Sequence, residues 1–224
     1  MLNILVDVVL LAILAYCGWM GHKKGLISGL LAVFAIIIAL YGSNIVAQTY
    51  SSEFTPVLEP FISGIVDKTS EETAGQGQST QSIEELARQS LINMGILSSA
   101  ADNIAKSVAE KTTEDGYILR KAIVNELCGI IAYVITATVI FILIIIVFTV
   151  IYNIVNLDFK LPGLESINNV LGTVFGIIKG LLIVFAIAWI LRFAGMLIKE
   201  EVVSKTLLLR FFMDHNILNG IYGF

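Results

Sequence analysis

Asp7, Cys17, Glu126, Cys128 and Lys179 are the side chains that could do chemistry in apolar surroundings here, and His22 and His215 are the only imidazoles. A proton-coupled transporter ordinarily holds a carboxylate at mid-membrane, but Asp7 and Glu126 lie near the ends of apolar runs. Cys17 and Cys128 fall inside or at the edge of apolar runs, and no disulfide framework or metal-ligand spacing can be built from the two, so buried, inert thiols are expected. His22 sits beside Lys23 and Lys24 as an interfacial residue would, and His215 has no sequence partner. No Ser/His/Asp set, phosphate loop or pair of intramembrane carboxylates can be assembled. The expectation is therefore a protein that is not an enzyme, with no catalytic residue, no metal and no cofactor. A net charge of −4 gives no basic surface for nucleic acid.

Lys179 is the most informative of these residues, because it falls well inside an apolar stretch. A charge there costs roughly 2.5–3.5 kcal/mol on insertion scales, so it pairs or faces water. Asp7 and Glu126 are charge partners nearer the opposite surface, whereas Asn153 and Asn168 are closer in depth. Two readings stay open: the side chain snorkels to the headgroups, or it faces a water-filled path.

The elements that must position these residues are transmembrane helices. Apolar residues make up 57% of the chain and charged residues 14%, with a mean hydropathy of +0.87. From Leu127 to Ile151 no residue is charged, and about 20 apolar residues cross a bilayer. The pattern predicts an all-α integral membrane protein with four transmembrane helices, at about 2–20, 25–47, 127–151 and 170–191, plus amphipathic helices outside the membrane. Met1-Leu2-Asn3 lacks a basic residue and Tyr16 is bulky before Cys17, so the first helix is expected to stay uncleaved. Gly21-His22-Lys23-Lys24 is expected as the tight turn after it, and Trp189 as a residue of the interfacial belt.

Four regions follow: a first transmembrane hairpin (1–50), an extramembrane insert (51–124), a second hairpin (125–193) and an amphipathic tail (194–224). Residues 48–124 hold eleven acidic and six basic residues, so this stretch is acidic. Phe54, Leu58, Phe61, Ile62 and Ile65 predict a short interfacial helix, and the polar run 69–80 a disordered linker. Ser82 with Glu85 forms a capping box. Behind it Ile83, Leu86, Ala87, Leu91 and Met94 make one helical stripe. Ser99 and Asp102 start a second stripe of Ala101, Ile104, Ala105 and Val108, and a third helix is expected from about Asp115. An amphipathic connection (153–169) precedes the last span. In the tail Val203, Leu207, Phe211 and Phe212 predict one apolar side of an interfacial helix.

Glycines recur in register. GHKKGLISGLLAVFAIIIAL (21–40) aligns without gaps to GTVFGIIKGLLIVFAIAWIL (172–191), with eleven of the twenty positions identical. Gly21, Gly25 and Gly29 match Gly172, Gly176 and Gly180. Spacing of four puts each set on one helix face, where small residues let backbones approach closely in a bilayer. Packing of the second and fourth helices on each other, or on another subunit as a homo-oligomer, is expected. A duplicated hairpin, giving parallel repeats, and a chance likeness of apolar helices both remain open.

Val6-Asp7 with Lys24-Gly25-Leu26 seventeen residues on resembles the start of the colicin V production protein (CvpA-like) family. Leu161-Pro162-Gly163, Ile167-Asn168 and Leu171-Gly172-x-x-Phe175-Gly176-x-x-Lys179-Gly180 resemble that family's most recognisable block. The resemblance implies a four-helix protein of the bacterial inner membrane, associated with colicin V production, a role in toxin biosynthesis. The insert 51–121 departs from compact members. Lys23 and Lys24 favour the first turn in the cytoplasm with both termini outside, although Arg120, Lys121, Lys199 and Lys205 would then lie outside with only Lys160 added inside. Family-like domains that precede extracytoplasmic serine proteases imply the same orientation. The expected partners are the lipid bilayer and an extracytoplasmic protein. An oligomeric channel or transporter built on Lys179 and the glycine-rich helices is the alternative.

Overall fold

The computed structural model describes residues 2–74, 83–112, 119–155, 165–193 and 200–222. Every regular element among them is an α-helix: α1 (Leu2–Ala74), α2 (Ile83–Asn93), α3 (Ser98–Thr112), α4 (Leu119–Val155) and α5 (Glu165–Arg192), then the short α6 (Glu200–Val203), α7 (Leu208–Asp214) and α8 (Asn219–Tyr222). Among the described residues, three segments are long and apolar enough to cross a membrane: Ile4–Thr69, Val124–Ile154 and Ser166–Arg192.

The first of these is two helices meeting at Gly25, whose φ of 82° and ψ of −179° lie outside the helical region. Only glycine takes this conformation without strain. The break corrects the expected turn: residues 21–24 are helical, and the interruption is a single residue. It also corrects the expectation that Gly21, Gly25 and Gly29 share one helical face. Contacts on both sides of Gly25 show its direction. Leu14 and Cys17 meet Gly180, and Gly21 meets Gly172 and Gly176. Past Gly25 an undeflected helix would run beyond the start of α5, yet Gly29 returns to Gly172 and Phe175. The chain doubles back.

Beyond the hairpin the helix runs on to Ala74, so the expected short interfacial helix is part of α1 and residues 69–74 of the expected linker are helical. Residues 75–80 lie outside the described residues, as do Ser82 of the capping box, Asp115 and Leu161-Pro162-Gly163. Pro56 and Pro60 sit within this helix. Each removes one backbone donor, but both are exposed and four residues apart, so the interrupted positions fall on one outer face.

The chain divides into two compact units, which cut across the four consecutive regions of the sequence reading. The first comprises the described residues of Met1–Ile45, Thr138–Trp189 and Glu201–Gly223. In it the tail folds into α6, α7 and α8 rather than one interfacial helix. Val203 and Phe212 are buried, but Leu207 is 84% exposed and Phe211 half exposed. The turn at residues 204–207 separates α6 from α7 and breaks the expected stripe; Leu209, Met213, Leu218 and Tyr222 supply the buried side with Phe212.

The second unit comprises the described residues of Val46–Ala137 and Ile190–Glu200. Here α2 and α3 form a helical hairpin. Gly95 (φ 83°) ends α2 in a Schellman motif: the Ile96 N–H donates to the Leu91 carbonyl and the Gly95 N–H to that of Ile92. Ala87 and Leu91 face Ala101, Ile104, Ala105 and Val108 in a core that also takes Ile62 and Val66 of α1 and Leu127 and Cys128 of α4. Phe54 and Phe61 do not join Ile62 there; they are 51% and 65% exposed. At about 3.6 residues per turn they share a face with Tyr50 and Val57, while Leu58, Ile62 and Val66 share the other. Asp102 pairs with Arg88 at 2.6 Å, and α3 begins at Ser98.

Candidate functional site

The most closely built place in the first unit is where the hairpin of α1 meets α5. Residues 168, 172, 176 and 180 form one face of α5, since four residues make slightly more than a turn. A Cβ on Gly172 would collide with the Gly21 carbonyl and stand 2.8 Å from the Gly25 Cα. One on Gly176 would collide with the Cys17 carbonyl, and one on Gly180 would sit 3.1 Å from the Cys17 Cβ. From the other side, a Cβ on Gly21 would collide with the Gly172 carbonyl and stand 2.9 Å from the Gly176 Cα; one on Gly29 would stand 2.9 Å from the Phe175 Cβ. Backbone lies on backbone, the arrangement that gives helices their attraction where lipid removes any hydrophobic drive. The partner of the α5 glycine face is thus chiefly the first helix of the hairpin. In the aligned stretches the second glycines also differ: Gly25 breaks its helix and Gly176 does not.

The break at Gly25 frees a backbone donor, and Asn168 receives it. The Leu26 N–H donates to Asn168 Oδ1 at 3.0 Å, and Asn168 is 1% exposed. A side chain on Gly25 would strike the same amide. Asn168 therefore serves the hairpin turn and is not the partner of Lys179. The sequence held a signal for this role, since Asn168 continues the four-residue register of the glycines one step toward the start of α5.

Around this turn, Lys23 Nζ lies 3.8 Å from the centre of the Trp19 ring and Lys24 Nζ 4.4 Å from that of Tyr152. His22 Nδ1 is 3.1 Å from the Thr173 hydroxyl. Lys179 is half-buried and within electrostatic reach of the Cys17 sulfur; among the described residues it forms no ion pair. Cys17 and Cys128 are both free and buried.

Asp7 lies at the other end of this unit. Its Oδ2 accepts the Leu207 N–H at 2.9 Å, and its Oδ1 those of Leu208 and Leu209 at 3.1 and 3.3 Å. No local side chain caps α7, so a carboxylate two hundred residues away in sequence does, where the first-turn donors and the helix dipole favour an anion. The Ser43 and Tyr222 hydroxyls are 2.9 Å apart and buried, and Asn44 donates to the Ile221 carbonyl at 3.0 Å. Burial pushes the Tyr222 phenol above its ordinary value, and the Ser43 bond opposes that. Trp189 packs against Tyr222 with ring centres 4.4 Å apart and the rings tilted by 30°, and it is 2% exposed. His215 stacks on Phe211. Periodicity could not find these pairs, because each joins segments distant in sequence.

A family model described as Colicin V production protein matches residues 90–216, more than half of the chain. The chain belongs to that family. No curated protein and no solved structure matches it. The family region holds Asn168, Gly172, Gly176 and Gly180 together with the α7 segment that Asp7 caps, and it starts inside α2. The latter part of the insert thus falls within the family match, although the sequence alone presented the whole insert as a departure. Family membership and the apolar helices make the chain a multi-pass membrane protein of the colicin V production family.

Proposed function

We propose that this family member crosses the bacterial inner membrane four times and acts without catalysis, as a component that gathers protein partners for toxin production and envelope processes. The observation that carries this reading is the reversal at Gly25, which makes two antiparallel apolar helices of the first segment. With α4 and α5 they give four spans. Asp7 and the tail share one end of the first unit and Gly25 and Asn168 the other, which supports both termini on one side of the membrane. Lys23 and Lys24 at the Gly25 end favour that end in the cytoplasm and the termini outside. Partner capture would then fall to the acidic insert 51–124.

The test is crosslinking in intact cells followed by purification in detergent. A reproducible extracytoplasmic protein partner, lost on deleting residues 83–112, is the expected result. Recovery of the chain alone after efficient crosslinking would overturn the reading. The competing channel reading draws on Lys179, half-buried without an ion pair among the described residues. It requires solute or ion flux in liposomes that Lys179→Ala abolishes, and we expect no such flux.

A further inference from the structure

The Gly25 end of the first unit carries a cluster of basic and aromatic side chains. Trp19, His22 and Lys23 are exposed, Lys24 is half-buried, and each lysine ammonium is held over an aromatic ring. The rings come from different helices, Trp19 from α1 and Tyr152 from α4. Neither lysine forms an ion pair among the described residues. Of the carboxylates whose side chains are described in this unit, Asp7 caps α7 at the opposite end, Asp214 pairs with Arg210 in the tail and Glu201 lies in α6. Running from this cluster along the first helix is an exposed apolar strip of Leu11, Ala15, Tyr16 and Trp19, with the Tyr16 and Trp19 rings 6.2 Å apart.

From this juxtaposition we infer that the Gly25 turn is a binding site for one anionic phospholipid, its phosphate held by Lys23 and Lys24 and its acyl chain lying along Leu11, Ala15 and Tyr16. Cation–π contact explains why the site is prearranged. The attraction of each ammonium to its ring face restrains it, so the headgroup meets cations already placed. Trp19 belongs at headgroup depth, where an amphipathic ring has one side in hydrocarbon and the other in the wet interface. A zwitterionic headgroup offers the same phosphate but brings its own cation, which the lysines repel. An anionic headgroup does not. The site rests on the membrane reading above, since it places this turn at a bilayer surface, but it holds whichever leaflet that surface belongs to.

Trp19 provides the readout. Trp189→Phe in the full chain leaves Trp19 as the one tryptophan. This protein is reconstituted in phosphatidylcholine vesicles containing an equal small fraction of either brominated phosphatidylglycerol or brominated phosphatidylcholine. The expected result is that the anionic lipid is enriched about fivefold or more at Trp19, the effect of one or two lysines near an anionic headgroup. Lys23→Gln with Lys24→Gln should abolish the preference while leaving quenching by brominated phosphatidylcholine unchanged, a sign that the hairpin is intact. Lys23→Arg with Lys24→Arg should retain it. Equal quenching by the two lipids, or a preference that survives the glutamine pair, would overturn the site alone. Loss of the preference in millimolar inorganic phosphate, but not in chloride of equal ionic strength, would assign the site to a soluble anion and overturn the lipid. Quenching by neither lipid would overturn the membrane placement and the site with it.

Discussion

The helix contacts around the Gly25 hairpin of one unit and the α2–α3 core of the other are packed on opposite principles. In the first, glycine backbones and hydrogen-bonded polar groups lie inside, at Gly21, Gly172, Gly176, Asn168 and Ser43, while Leu11, Phe34, Ile146 and Val174 face outward. In the second, Leu91, Ile104 and Leu127 are wholly buried, and the Arg88–Asp102 pair lies at a half-exposed margin. Water rewards the burial of large apolar side chains. Lipid does not, so close backbone approach and satisfied polar groups must do the holding there. The contact of α1 with α5 should therefore fail when bulk is added inside it, and the α2–α3 core when bulk is removed.

Gly172→Leu should have the largest effect. The new side chain must displace the Gly21 backbone, a cost of about 3 kcal/mol or more, seen as loss of a cooperative thermal transition in detergent followed by Trp189 fluorescence. Ile104→Ala should come next, destabilising the second unit by about 2–4 kcal/mol through the cavity it leaves. Proteolysis of the α2–α3 segment in native membranes would report it, and resistance equal to wild type would break the contrast between the units. Asn168→Ala leaves the part-buried Leu26 N–H without its acceptor, at about 1–3 kcal/mol; Asn168→Asp, which keeps an oxygen, should lose less in the same melt. Gly129→Ala is the smallest change. A Cβ there meets no described atom within 4 Å, so the melt should be unchanged or raised by up to about 1 kcal/mol through the helix preference for alanine. A drop as large as that of Gly172→Leu would show that glycine packing is not confined to the first unit.

Much of the frame was legible in the residues. Charge-free runs marked the apolar helices, because a spanning helix must be apolar on every side. The α2 and α3 stripes marked the faces that meet, because a helix packed in water is apolar on one side only. The four-residue register of Gly172, Gly176 and Gly180 marked a close approach but not its partner. Register records spacing along one helix and says nothing of which backbone fills the face. The turn was misplaced for a related reason: His22, Lys23 and Lys24 are polar enough to end a span, yet a helix can carry them through its last turn, where cations meet the negative end of its dipole. Asp7 stood out as a charge in an apolar helix, but its partners are backbone N–H groups of α7, which no side-chain pattern reveals. Phe211 and Leu207 were misassigned because the stripe they belong to presumes a continuous helix.

The central claim is that the first apolar segment crosses the membrane twice, and single-cysteine labelling in intact cells tests it most directly. In a chain carrying Cys17→Ala and Cys128→Ala, a cysteine is placed in turn at Asn3, His22 and Gln48 and exposed to a membrane-impermeant maleimide. Positions 3 and 48 should label from the outside, and position 22 only after permeabilisation. Labelling of positions 3 and 22 from the same side would contradict the double crossing, since one unbroken crossing after residue 22, with no reversal at Gly25, would then suffice.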